Sequence, residues 1–364
     1  MNWVLIFLGF SALIILHEAG HFFAAKATGM RVEKFFLFFG PKLVSFRRGE
    51  TEYGIATIPA GGFVKITGMN PEEELPPEVA ARGYYHQPVW KRIVVIGAGP
   101  AVNIAIAIAI LFFLFLHYGT HTIHPTVSSV KAGSPAAYVL QKGDELVAVD
   151  GKRYADVAED ERPQKFSEAI SKHRCAGKQV EGCTAAKPVT LTVRRDGRLV
   201  NLSVTPLYDE AAQRPLIGFG FRISHTDFGV GGAAQEAVDE TWFVTKGTVS
   251  IFSRLFEEEK RKEISGVVGV SDVANEKLNE STAETLLLVA VVSLSLGLIN
   301  LFPFLPLDGG HIFWSLVEKV RGKPVPFRIM EGAGVIGFAL VIMLFFIGLS
   351  NDIGRISGGG FSGR

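Results

Sequence analysis

Residues 3–25 read WVLIFLGFSALIILHEAGHFFAA, an apolar stretch in which two histidines and a glutamate follow 14 uncharged residues. A helix needs about 20 mainly apolar residues to cross a bilayer. This stretch reaches that length only if His17, Glu18 and His21 lie within it. Because ionisable side chains inside a membrane cost free energy, their presence indicates a functional role. No basic segment precedes Trp3, so we expect a retained membrane helix rather than a cleaved signal peptide.

The HEAGH motif at 17–21 is typical of a metal site. On a helix, His17 and His21 lie at positions i and i+4 and therefore on one face. Glu18 follows the first histidine directly, where it can take a proton from an attacking water. A catalytic zinc ion needs a third protein ligand and one open position. Among the other apolar stretches, Asp308 in NLFPFLPLDGGH at 300–311 is the candidate for that ligand.

The whole sequence favours a membrane protein. Of the 364 residues, 48% are hydrophobic, and the mean hydropathy is +0.28. Three more uncharged stretches are long enough to span a bilayer, and they cover 93–116, 286–307 and 332–350. The 37 basic and 36 acidic residues nearly cancel, so no overall charge indicates nucleic acid as a partner.

Lysine and arginine near the ends of these stretches predict their orientation. Ten basic residues lie between the first two stretches and four lie in 319–328, whereas none precedes Trp3. Short cytoplasmic loops are enriched in these residues. We therefore expect these two connections in the cytoplasm, and both termini and the long middle segment outside. His17, His21 and Asp308 would then lie at similar depth in the cytoplasmic half of the membrane.

The middle of the chain has a different pattern, with short alternating strands and turns from 125 to 206. Within it, AGSPA at 132–136 and GDELVAVDG at 143–151 resemble a bacterial PDZ domain, which binds extended peptides at a sheet edge. A β domain that acts only as a spacer or plug is the alternative. Cys175 and Cys183 lie eight residues apart in this segment and could form a disulfide outside the cell. Two unrelated thiols are the alternative.

Two other segments are open to more than one interpretation. Apolar residues at helical spacing between 236 and 256 predict a helix that lies at a membrane surface or packs on another helix. His117, His121 and His124 could bind a second metal ion. Polar residues are also common at the outer end of a span, which is the simpler interpretation.

Five features together resemble the site-2 protease family over nearly the whole chain: HEAGH, GGFVKITGM at 61–69, GPAVN at 99–103, the PDZ-like segment and NLFPFLPLDGGH. The similarity is to bacterial members of the regulator of sigma-E protease type, with an actinobacterial-like sequence. It implies one catalytic zinc ion bound by His17, His21 and Asp308, with Glu18 as the base. It also implies that Asn300 positions the substrate or stabilises the oxyanion.

The resemblance further implies that Asn103 is a polar group near the site. YGIATIPAGGFVKITGM at 53–69 predicts a strand, a turn and a second strand. The edge of this hairpin, around Gly61, Gly62 and Phe63, could hold an unwound substrate as an added strand. A hairpin that only shields the site is the alternative.

The family's activity would be that of an intramembrane zinc metalloendopeptidase. Such an enzyme cuts single-span membrane proteins of the anti-sigma factor type in or near their membrane segment, which is site-2 cleavage in regulated intramembrane proteolysis. A site-1 protease would trim the substrate first, and the PDZ domain would restrict access. A metal transporter is one alternative, but it has no need of Glu18 or a peptide-binding domain. An inactive PDZ scaffold is another, and the intact HEAGH and LDGG motifs argue against it.

We therefore expect a polytopic α-helical protein of the plasma membrane, embedded in the lipid bilayer, with four transmembrane helices, a membrane-associated β-hairpin and an extracytoplasmic, mainly β PDZ domain. The expected segments are helix 1 at 1–28, the β region at 31–90, helix 2 at 92–117, the PDZ domain at 125–206, an amphipathic helix and linker at 234–283, helix 3 at 285–308, helix 4 at 331–350 and a disordered tail at 351–364.

Overall fold

The computed structural model describes residues 2–70, 72–159, 161–254, 261 and 265–357. The chain divides into two compact units. Among the described residues, the first comprises those in 2–116 and 230–354, and the second comprises those in 117–229 and 355–357. The sequence predicts a disordered tail at 351–364. This is wrong for 351–357, which continue the last helix, and 358–364 lie outside the described residues.

Helices make up most of the first unit. The described α-helices of the two units are α1 (Asn2–Ala27), α2 (Pro77–Ala80), α3 (Val89–Tyr118), α4 (Arg162–Ser171), α5 (Val230–Arg254), α6 (Val267–Glu280), α7 (Thr282–Asn300), α8 (Asp308–Arg321) and α9 (Phe327–Ser357), and α4 lies in the second unit. Four of them, α1, α3, α7 and α9, are long and apolar enough to cross a membrane, by length and composition. These are the four helices that the sequence predicts to span.

The strands form separate sheets in the two units. They are β1 (Val32–Arg48), β2 (Thr51–Ile66), β3 (Thr120–Val130), β4 (Glu145–Val149), β5 (Lys152–Arg153), β6 (Val189–Arg195), β7 (Arg198–Val204), β8 (Leu207–Asp209), β9 (Arg214–Leu216) and β10 (Phe219–Thr226).

The sheet of the first unit differs from the hairpin predicted at 53–69. β1 and β2 are long antiparallel strands joined at Gly49 and Glu50, and each has two parts. Phe35 in the first part of β1 pairs with both Tyr53 and Val64. The two halves of β2 therefore lie on either side of β1 instead of pairing with each other, so the predicted pairing was wrong. The long apolar run of β1, which contains FFLFF at 35–39, supplies the central strand that the interpretation of 53–69 left out.

The third apolar stretch does not form one helix down to Asp308. α7 ends at Asn300, and α8 begins at Asp308 after a loop of turns and bends. Pro303 and Pro306 lie in this loop, where they cannot donate the backbone hydrogen bonds that would continue a helix. The break leaves Asp308 in the first turn of a new helix.

α5 is the helix that the sequence predicts around 236–256. It packs against α7 and buries Ala233 and Ala237. Val238, Trp242 and Phe243 remain more than half exposed. α5 therefore packs on another helix through small residues, whereas large apolar residues on which the prediction rested stay exposed.

The second unit is built on a sheet with the strand order β10-β3-β4-β6-β7, and β5 pairs with β4. α4 and the sheet enclose a core that includes Phe166, Leu191 and Val193, all 0% exposed. Asp196 and Gly197 take positive φ angles of 49° and 80° in the turn between β6 and β7, as the predicted hairpin requires. The sheet extends past the predicted limit at residue 206, because β10 pairs with β3.

Cys175 and Cys183 form a disulfide whose Cα atoms are 6.2 Å apart. The loop that it closes is bound to the hairpin of β8 and β9, since Gly182 N–H donates to Tyr208 O and Tyr208 N–H donates to Cys183 O, both at 2.9 Å. The disulfide therefore fixes this loop beside the short hairpin that precedes β10.

Candidate active site

The three predicted ligand side chains meet at one point. α1 places His17 and His21 one turn apart, each 7% exposed. Their Nε2 atoms are 3.3 Å apart, and Asp308 Oδ2 lies 3.2 Å from each of them. Among the described residues, this is the only group of His, Cys, Asp or Glu whose possible ligand atoms all lie within 4.8 Å of one another.

The geometry of these atoms fits a zinc ion. Ligands at about 2.0–2.1 Å from a tetrahedral zinc ion are about 3.3 Å from one another, close to the separations seen here. His21 Nδ1 donates a hydrogen bond to Val95 O at 2.9 Å, which leaves the Nε2 lone pair of a neutral ring facing the other ligands. Asp308 Oδ2 is buried without a hydrogen-bond partner. Lone pairs that converge in this way repel one another unless a cation lies between them.

Glycines allow α1 and α3 to approach closely at the site. A Cβ on Gly20 would lie 2.6 Å from Ala98 O, and a Cβ on Gly99 would overlap the His21 imidazole. Small residues at helix contacts are typical of membrane helices because they let the backbones approach. The close contact brings Val95 O within hydrogen-bonding distance of His21.

Glycines also fix the third ligand. Gly309 and Gly310, which follow Asp308, pack against the loop at 301–305 so closely that a Cβ on either would clash with loop backbone atoms. Gly337 of α9 contacts the same loop, where a Cβ would overlap Leu305 O. The DGG sequence therefore does more than end a helix: it lets the first turn of α8 fold back against the loop before it.

A cavity of about 310 Å³ contains the site. Glu18, half-buried, lies in its wall beside the three ligands. Of the residues predicted to position substrate, Asn300, Gly61, Gly62 and Phe63 also line it. The cavity thus brings together a metal site, a carboxylate able to move a proton, an amide side chain and one edge of a β-sheet.

Asn103 is not among the residues that line this cavity. It is 0% exposed on α3, where Gly297 of α7 packs against it. Ser293 Oγ donates to Asn103 O at 2.9 Å. The atoms of its side-chain amide are buried without a hydrogen-bond partner. In this structure Asn103 lies at the contact between two apolar helices.

The second histidine cluster does not converge on one point. His121 faces His225 across the ladder of β3 and β10, with the ring centroids 4.8 Å apart. His124 contacts Ser224 Oγ at 2.7 Å and Glu159 Oε1 at 3.2 Å. Within the described part of the chain, these histidines form no group with the geometry of a metal site.

Sequence reasoning missed the residues that support the ligands. Val95 and Gly99 orient His21, and Gly337 holds the loop before Asp308. Ile66, Met69, Ile96 and Leu296 complete the cavity wall. A glycine within an apolar span was an available signal for Gly99 and Gly337, since glycine is typical of close helix contacts in membranes. No local pattern singles out Val95, because it contributes through its main-chain carbonyl.

Comparison with known proteins identifies the family of this chain. The sequence profile of peptidase family M50 matches residues 5–344. A protein of Brucella suis named "Putative zinc metalloprotease" is 30% identical over 367 residues, covering 94% of this chain and 92% of that protein. Proteins with the same descriptive name from Rhizobium meliloti and Campylobacter jejuni are 30% and 28% identical and cover 95% and 96% of this chain. The chain therefore belongs to peptidase family M50, the site-2 protease family, whose proteases use a catalytic zinc ion.

Proposed function

We propose that this protein is an intramembrane endopeptidase that hydrolyses a peptide bond in or near the membrane segment of single-span membrane proteins. One observation carries the proposal. The zinc ligands and Glu18 share a cavity with the edge of a β-sheet, and the helices that bear His17, His21 and Asn300 are long and apolar enough to span a membrane. A site for hydrolysis is thus combined with an edge able to bind extended backbone.

The cavity residues have distinct tasks in this reaction. A zinc ion held by His17, His21 and Asp308 supplies Lewis acidity for the attacking water and the scissile carbonyl. Glu18 takes the proton of the water as its oxygen bonds to the carbonyl carbon. It then delivers that proton to the leaving amine nitrogen as the C–N bond breaks. Asn300, which lines the cavity, would donate a side-chain N–H to the oxyanion or to substrate backbone.

The edge of β2 would hold the substrate. A transmembrane substrate satisfies its peptide groups within its own helix, so it must be unwound before it can be cut. Residues 62–66 pair with the first part of β1 on one side, and among the described residues no strand pairs with them on the other side. Gly61, Gly62, Phe63 and Val64 line the cavity at this edge. An unwound segment added as a further strand would lie beside Glu18 and the ligands.

The second unit would act as a peptide-binding, PDZ-like filter. Its β10 is an edge strand in the sheet order, which is the kind of position where extended peptides add to a sheet. We infer that it restricts access to substrates already trimmed by a site-1 protease, with anti-sigma factors as the substrate type. In the proposed orientation this unit and both termini lie outside the cell, and the zinc site lies toward the cytoplasm.

A comparison of wild type with Glu18→Gln tests the activity. We expect Glu18→Gln to retain zinc and to cleave a tagged single-span substrate about 10²–10⁴-fold more slowly, since it loses the proton acceptor. Bound zinc is measured by atomic absorption, and cleavage by gel shift of the tag. Equal cleavage by both proteins would exclude the proposed mechanism. Zinc binding without cleavage by wild type, for any single-span substrate tried, would favour a transporter or a scaffold.

A further inference from the structure

An ion pair between a buried arginine and a partly exposed glutamate joins α3 to α8, the helix whose first residue is Asp308. The Arg92 side chain is 2% exposed. Its Nη1 donates to Glu318 Oε2 at 3.0 Å and its Nη2 to Oε1 at 2.6 Å. Two parallel bonds between a guanidinium and a carboxylate fix both distance and direction. The rings of Tyr84 and Tyr85 lie 5.9 Å and 5.3 Å from Arg92 Cζ, which further restricts the guanidinium.

The same face of α3 contacts a zinc ligand. Arg92, Val95 and Gly99 are at positions i, i+3 and i+7 and therefore lie on one side of the helix. Val95 O accepts the hydrogen bond of His21 Nδ1, and Gly99 packs against the His21 ring. One face of α3 thus binds a ligand on α1 and also the helix that carries the ligand Asp308.

The Arg92–Glu318 contact affects the metal site through α8, because Asp308 and Glu318 lie on this same helix. Glu318 follows Asp308 by ten positions, about 15 Å along a helix. A helix fixed at one turn cannot rotate at another, so the pair restricts the direction of Asp308. The loop before α8, at 301–307, has no helical hydrogen-bond ladder to do so.

We propose that Arg92 and Glu318 are positioning residues that set the distance between Asp308 and the two histidines, and with it the affinity for zinc. The inference rests on the zinc site of the proposed function and adds two residues that touch neither the metal nor the substrate. Loss of Glu318 leaves the Arg92 guanidinium, 2% exposed, without its carboxylate partner, and loss of Arg92 frees Glu318, 20% exposed, from its contact with α3. Either change removes the contact that holds α8 against α3.

Zinc binding by the purified full-length chain in detergent tests the proposal. Glu318→Gln preserves size but removes the charge, and Arg92→Lys cannot form the two-pronged contact. We expect each to weaken zinc binding about tenfold or more, measured by competition with a chelator. The visible absorption of the Co²⁺-substituted protein should also change, because it reports the ligand geometry. The double variant Arg92→Glu with Glu318→Arg restores a pair of opposite charges and should recover part of the lost affinity.

Arg195→Lys is the matched control. Arg195 makes an equally two-pronged contact in the second unit, from Nε to Asp144 Oδ1 at 2.8 Å and from Nη2 to Oδ2 at 2.7 Å. We expect this variant to bind zinc as wild type does. Unchanged zinc affinity and Co²⁺ absorption in Glu318→Gln would overturn the proposal, and so would an equal loss in Arg195→Lys.

The double variant decides the matter if the single variants do not fold. A folded double variant that binds zinc supports the positioning role, because the restored pair then restores the site, and a folded double variant that does not bind zinc overturns it. None of these measurements needs a substrate. A protein that binds zinc as expected but cleaves nothing would contradict the proposed function and leave the positioning role intact.

Discussion

Gly99 faces the His21 imidazole so closely that a methyl group at this position would overlap the ring. In Gly99→Ala, either His21 turns away from Asp308 or α3 moves away from α1. Both changes disturb the ligand geometry, so we expect zinc affinity to fall about tenfold or more. Gly97→Ala is the control, because the nearest atom to its Cβ, Ile312 Cδ1, is 3.9 Å away. Chelator competition measures both, and wild-type affinity in Gly99→Ala would contradict the packing described.

Glu50 makes a second residue-scale prediction, on pH. Its carboxylate accepts hydrogen bonds from Arg82 at 2.8 Å and from Lys26 Nζ at 2.6 Å, which ties the turn between β1 and β2 to the end of α1. The hydrogen bond from Arg82, opposed by burial and aided by Lys26, lowers the pKa of Glu50 from 4.5 to about 2. Because the folded-state pKa is the lower one, this stabilisation is present above pH 4.5 and is lost as the pH falls toward about 2.

The difference in melting temperature between wild type and Glu50→Gln should therefore be largest above pH 4.5 and shrink on acidification. Thermal unfolding in detergent from pH 7 to pH 3 measures it. Glu168→Gln, which removes an exposed contact with Lys165 at 3.2 Å, should show little difference at any pH. If the difference in melting temperature between wild type and Glu50→Gln grew at low pH, the pH dependence would have the opposite sign and this explanation would be excluded.

At the scale of elements, the two outer edges of the β1–β2 sheet have different surroundings. Phe63 lies at the edge that lines the zinc cavity and stacks on Phe36 and Phe39 at 5.6 Å. Phe46 lies at the opposite edge and is 62% exposed. If the cavity edge binds substrate backbone, Phe63→Ala should slow cleavage about tenfold or more through misplacement of the bound strand, with zinc retained. Phe46→Ala should cleave as wild type does.

Steady-state cleavage and zinc content of the two variants measure this effect. Full activity in Phe63→Ala would show that the cavity edge of the sheet does not bind substrate and only shields the site. Loss of zinc would mean instead that Phe63 supports the ligands.

Some of these elements could be predicted from the sequence alone, and others could not. The spans and HEAGH were readable because apolar length and i, i+4 spacing are local properties. The pairing of β2 could not be predicted from local properties, because its two halves are neighbours in sequence yet lie on either side of Phe35 in the sheet. Val95, Gly99 and the Arg92–Glu318 pair were missed for the same reason: each acts through a contact between residues far apart in the chain.

At the scale of the molecule, the proposed function assigns catalysis to the first unit and selection of substrates to the second. The zinc site lies wholly in the first unit, whereas the second has its own core around Leu191. Leu191→Ala should destabilise the second unit by about 2–5 kcal/mol, since it leaves a cavity where the side chain is 0% exposed. Zinc content should be unchanged. If the second unit excludes untrimmed substrates, its loosening should raise the cleavage of a full-length substrate relative to a trimmed one.

Limited proteolysis of the second unit, zinc content and the ratio of the two cleavage rates should be measured together. Leu199→Ala, on β7 of the same sheet with Leu199 51% exposed, is the control and should change none of them. A proteolysed second unit with an unchanged cleavage ratio would show that it does not filter substrates. Because the predicted zinc ligands belong to the first unit, loss of zinc in Leu191→Ala would show that the two units are not independent, and that stability and selection must be explained together.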